Sequence, residues 1–247
     1  MMKTIFAVGI SLALCGLGSQ VWADFDYSAE LDFTYSESDK RIKIDKKTAT
    51  FRAGGGGLRL NAEHEKYGLF FGSVGYGYSP KESASYSGTT LSGPADSVFF
   101  GAGYRYDYSL NPRYQLSFIS RYVNYEITGD LSGDVGGLPT EARLTSTMTT
   151  LDTSLALRYS ISRDLHISLG TGVRNWSIEA LARGTIGDSI GATSRAAADG
   201  SDPISHLGLE FKYRDYPVKA TYSHSKLTAD NAPIVHGLDI QVRFHGF

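Results

Sequence analysis

The chain has 247 residues, with 24 Lys and Arg against 26 Asp and Glu, a formal net charge of −2, and one cysteine. So even a balance argues against nucleic acid as a partner, and one cysteine cannot close an intrachain disulfide. Mean hydropathy is −0.20, and no apolar run after residue 23 could cross a bilayer as a helix. A spanning strand shows apolar side chains only at alternate residues, so it escapes that test.

Residues 1–23 have the build of a secretory signal peptide. Lys3 supplies a short basic head, an apolar stretch runs from Ile5 to Leu17, and Val21 and Ala23 stand at positions −3 and −1 before Asp24. The apolar stretch is too short for a permanent membrane helix. Bulky Leu14 precedes Cys15 where a lipoprotein signal needs a small residue. Cleavage before Asp24 removes Cys15 and Lys3 and leaves 23 basic against 26 acidic residues. The domain reading is therefore a cleaved signal, 1–23, and one all-β domain, 24–247.

Period-two alternation predicts about ten strands, near 25–37, 48–62, 67–80, 97–110, 113–128, 147–161, 165–179, 204–214, 216–227 and 236–246. One face of the first carries Phe25, Tyr27, Ala29, Leu31, Phe33 and Tyr35. Equally regular sets are Leu155, Leu157, Tyr159 and Ile161, then Leu207, Leu209, Phe211 and Tyr213. In the second strand, Gly54 to Gly57 interrupts the parity and points to a bulge. The connections alternate between short ones (NAEHEK, NPR, SRD, RD) and long polar ones, with ADNAPI intermediate. This asymmetry and the absence of a helical stripe give the fold class: an all-β, antiparallel, up-and-down transmembrane barrel of about ten strands, with eight or twelve as alternatives.

Alternation alone does not tell inside from outside. A soluble barrel would turn the apolar face inward. Aromatic placement argues for lipid outside. Tyr27, Tyr106, Tyr108, Tyr114, Tyr159, Tyr213 and Tyr216 fall near the short-turn ends of their strands. Phe33, Tyr35, Tyr76, Tyr78, Phe99, Phe100, Tyr122 and Trp176 fall near the long-loop ends. Two aromatic girdles suit the two headgroup boundaries of a bilayer.

Parity then sends Glu30, Asp32, Arg59, Arg105, Asp107, Arg121, Asp152, Arg158, His166, Arg174, Glu210, Lys212, Lys219, Asp239 and Arg243 into the lumen. A three-residue SRD turn sets Asp152 opposite Arg174, and a two-residue RD turn sets Glu210 opposite Lys219. Interleaved acids and bases fit a salt-bridged plug better than an open solute path, because small barrels are filled by their own side chains.

The last residues, HGLDIQVRFHGF, resemble the final-strand signal of Gram-negative outer-membrane β-barrel proteins. Leu238, Ile240, Val242 and Phe244 carry the alternation and Phe247 closes the chain, out of step with Phe244, so either aromatic can serve as the terminal one. The resemblance implies Sec-type export, insertion by the outer-membrane assembly machinery, and outer-membrane lipid and lipopolysaccharide as surroundings.

The chemistry-bearing candidates are few. The RD turn pairs Ser205 with His224 on the lipid face and His206 with Ser223 in the lumen. A serine beside a histidine can act as nucleophile and base. YSHSK, Tyr222 to Lys226, resembles the histidine–serine segment of the outer-membrane lipid A 3-O-deacylases, but Lys226 stands in the serine position and Asp239 faces away from His224. The acidic and Asp-His pairs of the ten-stranded omptin proteases have no counterpart at the long-loop ends. His206, His224 and His236 do not share a face, so no metal site is expected, and no cofactor is implied. A basic segment, Lys40, Arg41, Lys43, Lys46 and Lys47 with Asp39 and Asp45, could meet lipopolysaccharide phosphates or acidic glycans. The other loops, rich in Gly, Ser, Thr and Ala, suggest mobility. The functional expectation is a non-enzymatic outer-membrane barrel with a surface-interaction or envelope-structural role, its surface ligand unknown. The alternatives are a narrow channel and a lipid A-modifying hydrolase.

Overall fold

A computed structural model describes residues 24–39, 42–44, 47–49, 52–86, 89–186, 190–228 and 233–245. Residues 1–23, expected as a signal peptide and including Cys15, together with Lys40, Arg41, Asp45 and Lys46 of the basic segment, and Phe247, lie outside the described residues.

The strands are β1 (Asp26–Ser38), β2 (Ile42–Ile44), β3 (Lys47–Ala49), β4 (Arg52–His64), β5 (Gly68–Tyr86), β6 (Thr89–Asn111), β7 (Tyr114–Val135), β8 (Leu138–Ser160), β9 (Leu165–Ile186), β10 (Ile190–Tyr213), β11 (Tyr216–Lys226) and β12 (Ile234–His245). Ten of them form the barrel. Each pairs antiparallel with its neighbours in the chain, and β1 closes the ring by pairing with β12 on one side and β4 on the other. The short β2–β3 hairpin sits outside the ring and adds to β5 through Lys47–Ala49.

Local chemistry sets the tight connections. Asn111 accepts hydrogen bonds through Oδ1 from the backbone N–H of Arg113 and Tyr114 at 2.9 and 3.0 Å, which closes the β6–β7 turn. Gly136 and Gly137, with φ of 63° and 84°, turn β7 into β8 in two residues, and Asp134 accepts from the Gly137 N–H at 2.6 Å. Such a turn leaves no long loop there. Much of what composition suggests to be mobile loop is paired strand: β7 and β8 hold register from Tyr114–Tyr159 to Val135–Leu138, and β9 and β10 from Leu165–Phe211 to Ile186–Ile190.

Wall height therefore differs around the ring. Strands β1, β4, β11 and β12 have 11 to 13 residues, and β5 to β10 have 19 to 24. About 9 to 11 residues of a tilted strand suffice to cross a bilayer. Tyr27 to Tyr35, Phe70 to Tyr78 and Tyr114 to Tyr122 are each nine residues. The short strands end near the second aromatic level and the tall ones continue well past it.

The outer face below that level is apolar. Leu31, Leu60, Val74, Leu155, Leu157, Leu169 and Leu209 all point outward and are exposed, Leu169 at 66%. A belt all round the wall exceeds the roughly few hundred Å² that soluble monomers leave contiguous. The two aromatic levels frame it: Tyr108, Tyr213 and Tyr216 at one edge, Phe33, Tyr76 and Tyr78 at the other.

The Gly54–Gly57 run contains no bulge. It pairs residue for residue with β1 and β5. Its role is clearance: a Cβ on Gly57 or Gly75 would stand 2.9 or 2.2 Å from Phe99 Cζ, so only glycine lets the Phe99 ring lie against the inner wall. The register breaks fall elsewhere, between Ser79 and Glu82 of β5 and between Ser109 and Asn111 of β6.

Candidate functional site

Within the belt, the strand alternation that shows apolar residues outward brings charged ones into the lumen. Arg59 contacts Asp32 at 2.8 Å and Glu30 at 3.7 Å, with all three side chains buried. Arg243 joins this cluster through Glu30 at 2.6 Å and extends it to Glu63 at 3.6 Å. The Arg59 guanidinium also lies 4.6 Å from the centre of the Phe71 ring. On the opposite wall Glu210 bridges Arg158 at 2.9 Å and Lys219 at 3.5 Å, and Arg158 donates to Gln115 at 3.1 Å. Arg105 meets Asp107 at 3.1 Å. Asp152 and Arg174 are register partners and form a two-bonded pair, each bond 2.7 Å.

These groups surround a polar chamber of about 550 Å³ that starts at the β8–β9 turn, Arg163 and Asp164, and ends at Arg121, Asp152, Arg174 and Asp239. The same four residues form the floor of a second cavity of about 290 Å³ in the tall part of the barrel. Its lining is different in kind: Phe99, Val123, Tyr125, Ile127, Leu144, Met148, Trp176 and Ile178.

Above the upper aromatic level the wall reverses its polarity. The outer positions of β8 change from Leu155 and Leu151 to Thr149, Thr147, Thr145 and Arg143, and its inner positions change from Asp152 to Met148 and Leu144. Strand β9 does the same, with Val173 then Asn175, Ser177 and Glu179 outside, and Arg174 then Trp176 and Ile178 inside. The lower half has an apolar exterior and an ionic interior. The upper half is built like a water-soluble β-barrel.

Trp176 accordingly does not belong to the outer girdle. It shares the parity of Arg174 and is buried at 7%, packed with Leu227 and Val235. Its indole N–H donates to Asp202, which also accepts from the Thr228 backbone N–H at 2.7 Å and from the Thr228 hydroxyl. This buried carboxylate, 1% exposed, fastens the segment after β11 to the inside of the tall wall. Phe99 likewise faces the lumen, while its neighbour Phe100 faces out. For both, height along the strand suggests the girdle, but parity decides the side.

Glu82 follows the β5 register break and lines the apolar cavity. Burial pushes its carboxyl up to about 7. The break shifts the strand's parity, which is why the sequence pattern does not disclose this residue. The apolar ceiling could have been found by carrying the alternation to the far end of the predicted 113–128 strand, where Val123, Tyr125 and Ile127 continue the lumen parity of Arg121.

The remaining candidates spread over both faces. Ser205 and His224 are register partners and both exposed, and His206 and Ser223 are partners on the inner face. His224 packs edge-on against His236, with ring centres 5.5 Å apart, and Tyr222 Oη lies 2.5 Å from His236 Nδ1. Among the described residues, Ser205 and His224 make no mutual hydrogen bond and no carboxylate bonds to either. Among the described residues no group of His, Cys, Asp and Glu side chains is arranged to hold a metal. On the final strand, Leu238 and Ile240 are exposed beside Tyr35 and Phe33 of β1, and Phe244 packs on Tyr216 at 5.4 Å.

Solved structures share this architecture. The translocator domain of the autotransporter NalP from Neisseria meningitidis aligns over 98% of this chain and 95% of its own, with a TM-score of 0.52 at 9% identity. The fold is that of the outer-membrane β-barrels. The outer membrane protease OmpT from Escherichia coli aligns over 90% of this chain and 98% of its own, with a TM-score of 0.51 at 9% identity. No family model matches the sequence, and no curated protein does. At such identities the likeness extends to the fold alone.

Proposed function

We propose that the chain is exported through its 1–23 signal and inserted in the outer membrane of a Gram-negative bacterium, where it acts as a surface-interaction or envelope-structural protein. In this reading the assembly machinery recognises the last strand. The short turns face the periplasm, and lipid and lipopolysaccharide surround the apolar belt. The observation that carries it is the continuation of β5–β10 beyond the upper aromatic level with a polar outer face, Glu126, Asp130, Arg143, Glu179, Arg183 and Arg195 among Ser and Thr. A sheet of that build presents side chains in fixed positions to water, as a binding platform needs.

The ionic layer Arg121, Asp152, Arg174 and Asp239 between the two cavities supports a plugged lumen over a channel. Among the described residues no orienting acid accompanies the Ser205–His224 pair, which supports a non-enzymatic role. The test has two parts. A peptide tag placed at Gly136–Gly137 should be reached by antibody on intact cells, and one at Asn111–Pro112 only after permeabilisation; the reverse would invert the topology. Shortening the β7–β8 hairpin above Tyr125 should abolish attachment of cells to immobilised acidic glycans or lipopolysaccharide with the barrel still folded. A stable unit conductance of the wild type in planar bilayers would replace this reading by the channel.

A further inference from the structure

The second cavity is not used by a surface-interaction role. Its wall is largely aliphatic and aromatic, with Glu82 and several Ser and Thr side chains among them, and its floor holds, beside the Asp152–Arg174 pair, two opposite charges that do not meet. Arg121 and Asp239 both line the floor. Every other lumen arginine is in a salt bridge: Arg59, Arg105, Arg158, Arg174 and Arg243 each contact a carboxylate within 4 Å. Arg121 makes no such contact among the described residues, and its buried Nε has no hydrogen-bond partner. Asp239 shares this floor and likewise makes no salt bridge among the described residues.

A donor and an acceptor that do not meet, under a largely apolar ceiling, favour a ligand with an apolar body and one polar end. An apolar body replaces water against the ceiling. Its polar end must accept from the guanidinium and donate to the carboxylate, because a buried polar group left unmatched costs more than the bond it would have made. A hydroxyl does both. A ligand carboxylate would be repelled by Asp239, and an ether or hydrocarbon would leave Asp239 unmatched. We infer that the tall half of the barrel holds a binding site for a small apolar alcohol, its hydroxyl between Arg121 and Asp239 and its chain against Met148, Ile178 and Trp176.

Trp176 provides the readout, since it is the one tryptophan of residues 24–247. The full barrel, folded in lipid nanodiscs, is titrated with 1-octanol, methyl octyl ether or octanoate while Trp176 emission is followed. The site predicts a saturable response to 1-octanol with half-saturation roughly tenfold or more below that of the ether and of octanoate. Arg121→Gln and Asp239→Asn should each reduce that preference over the ether to less than roughly threefold, with saturation retained. Ala180→Leu should abolish saturation, because Ala180 lines the cavity opposite Ala196. Ala196→Leu replaces it if Ala180→Leu does not give the heat-modifiable folded band. A response that rises linearly, as simple partition into lipid would give, overturns the site. So does equal half-saturation by all three probes, or saturation undiminished in the folded cavity-filling variant.

Discussion

The lower half of this barrel is a ring of ten strands, the upper half continues six of them, and those six carry opposite polarity in the two halves. Below the second aromatic level, Leu155 and Leu157 point outward and Asp152 points inward; above it, Thr147 and Thr145 point outward and Met148 and Leu144 inward. Strand geometry does not change at the crossing, since β8 and β9 keep their register from Ser160–His166 to Thr140–Ile186. The solvent outside is what changes. A β-strand offers two faces, and the sequence assigns each face to whatever adjoins it. The lower half cannot put apolar side chains in the middle of the barrel without losing those that meet lipid or leaving both faces greasy. It therefore fills its interior with paired charge. The upper half returns to the ordinary arrangement and gains an apolar interior cavity.

The comparison can be broken most severely from the ionic side. Arg174→Ala leaves Asp152 without its two-bonded partner at the boundary between the halves. Losing one member of a buried pair costs roughly 3–5 kcal/mol, less where the neighbouring chambers admit water. Denaturant unfolding of the barrel in lipid vesicles should show that loss, and conductance in planar bilayers should appear or increase as the layer opens. An unchanged midpoint with no conductance would remove Asp152–Arg174 from the plug.

A charge moved along one face sharpens the contrast. Leu155→Arg and Thr147→Arg both place a cation on the outer side of β8. In the apolar belt the cost should be about 2–4 kcal/mol, as expected for Arg facing the bilayer midplane. In the upper half it should stay within about 0.5 kcal/mol, as for an ordinary surface position. Yields of folded, heat-modifiable protein and unfolding midpoints measure both. Phe244→Asp, at the aromatic edge near the last-strand signal, should also lower insertion, and wild-type amounts of folded protein would count against a lipid-facing Phe244.

Glu82 supplies a smaller, pH-dependent difference confined to the upper half. Its carboxyl is pushed up from an unfolded value near 4.5 to about 7, so folding favours the protonated form. The stability this contributes is present below about pH 4.5 and is lost as pH rises through about 7. At about 1.4 kcal/mol per unit the difference is at most about 3 kcal/mol, and water entering the cavity reduces it. Hydrogen exchange of the β5–β6 hairpin should therefore be slower at pH 5 than at pH 8 by more than its intrinsic pH dependence. Glu82→Gln should remove that excess, and an equal excess in the variant would assign it to another group.

The halves also differ in how well they can be read from sequence. The lower half is legible because lipid outside and charge inside make a strong period-two signal, as in Leu155, Leu157 and Tyr159 against Asp152 and Arg158. Turn length then fixes which residues oppose each other. The upper half is obscured because its outer face is Ser, Thr and Asn and its inner face includes small residues such as Ala180 and Ala182, a composition that also describes loops. Trp176 shows the consequence: its height suggests a girdle, and its parity with Arg174 puts it inside. The register break before Glu82 moves that carboxyl into the cavity by a backbone irregularity that no local residue pattern announces.

The reversal itself is the claim most open to direct measurement. The one cysteine of the sequence is Cys15, in the proposed signal, so a chain beginning at Asp24 carries single cysteines along β8 that report without background. Thr145, Thr147, Leu151, Leu155 and Leu157 each receive one, carrying a fluorophore in vesicles whose lipids bear a quencher. Positions 151, 155 and 157 should be quenched by lipid, and positions 145 and 147 should be quenched by aqueous iodide and spared by lipid. Lipid quenching that continues through 147 and 145 would contradict the reversal and extend the membrane wall into the upper half.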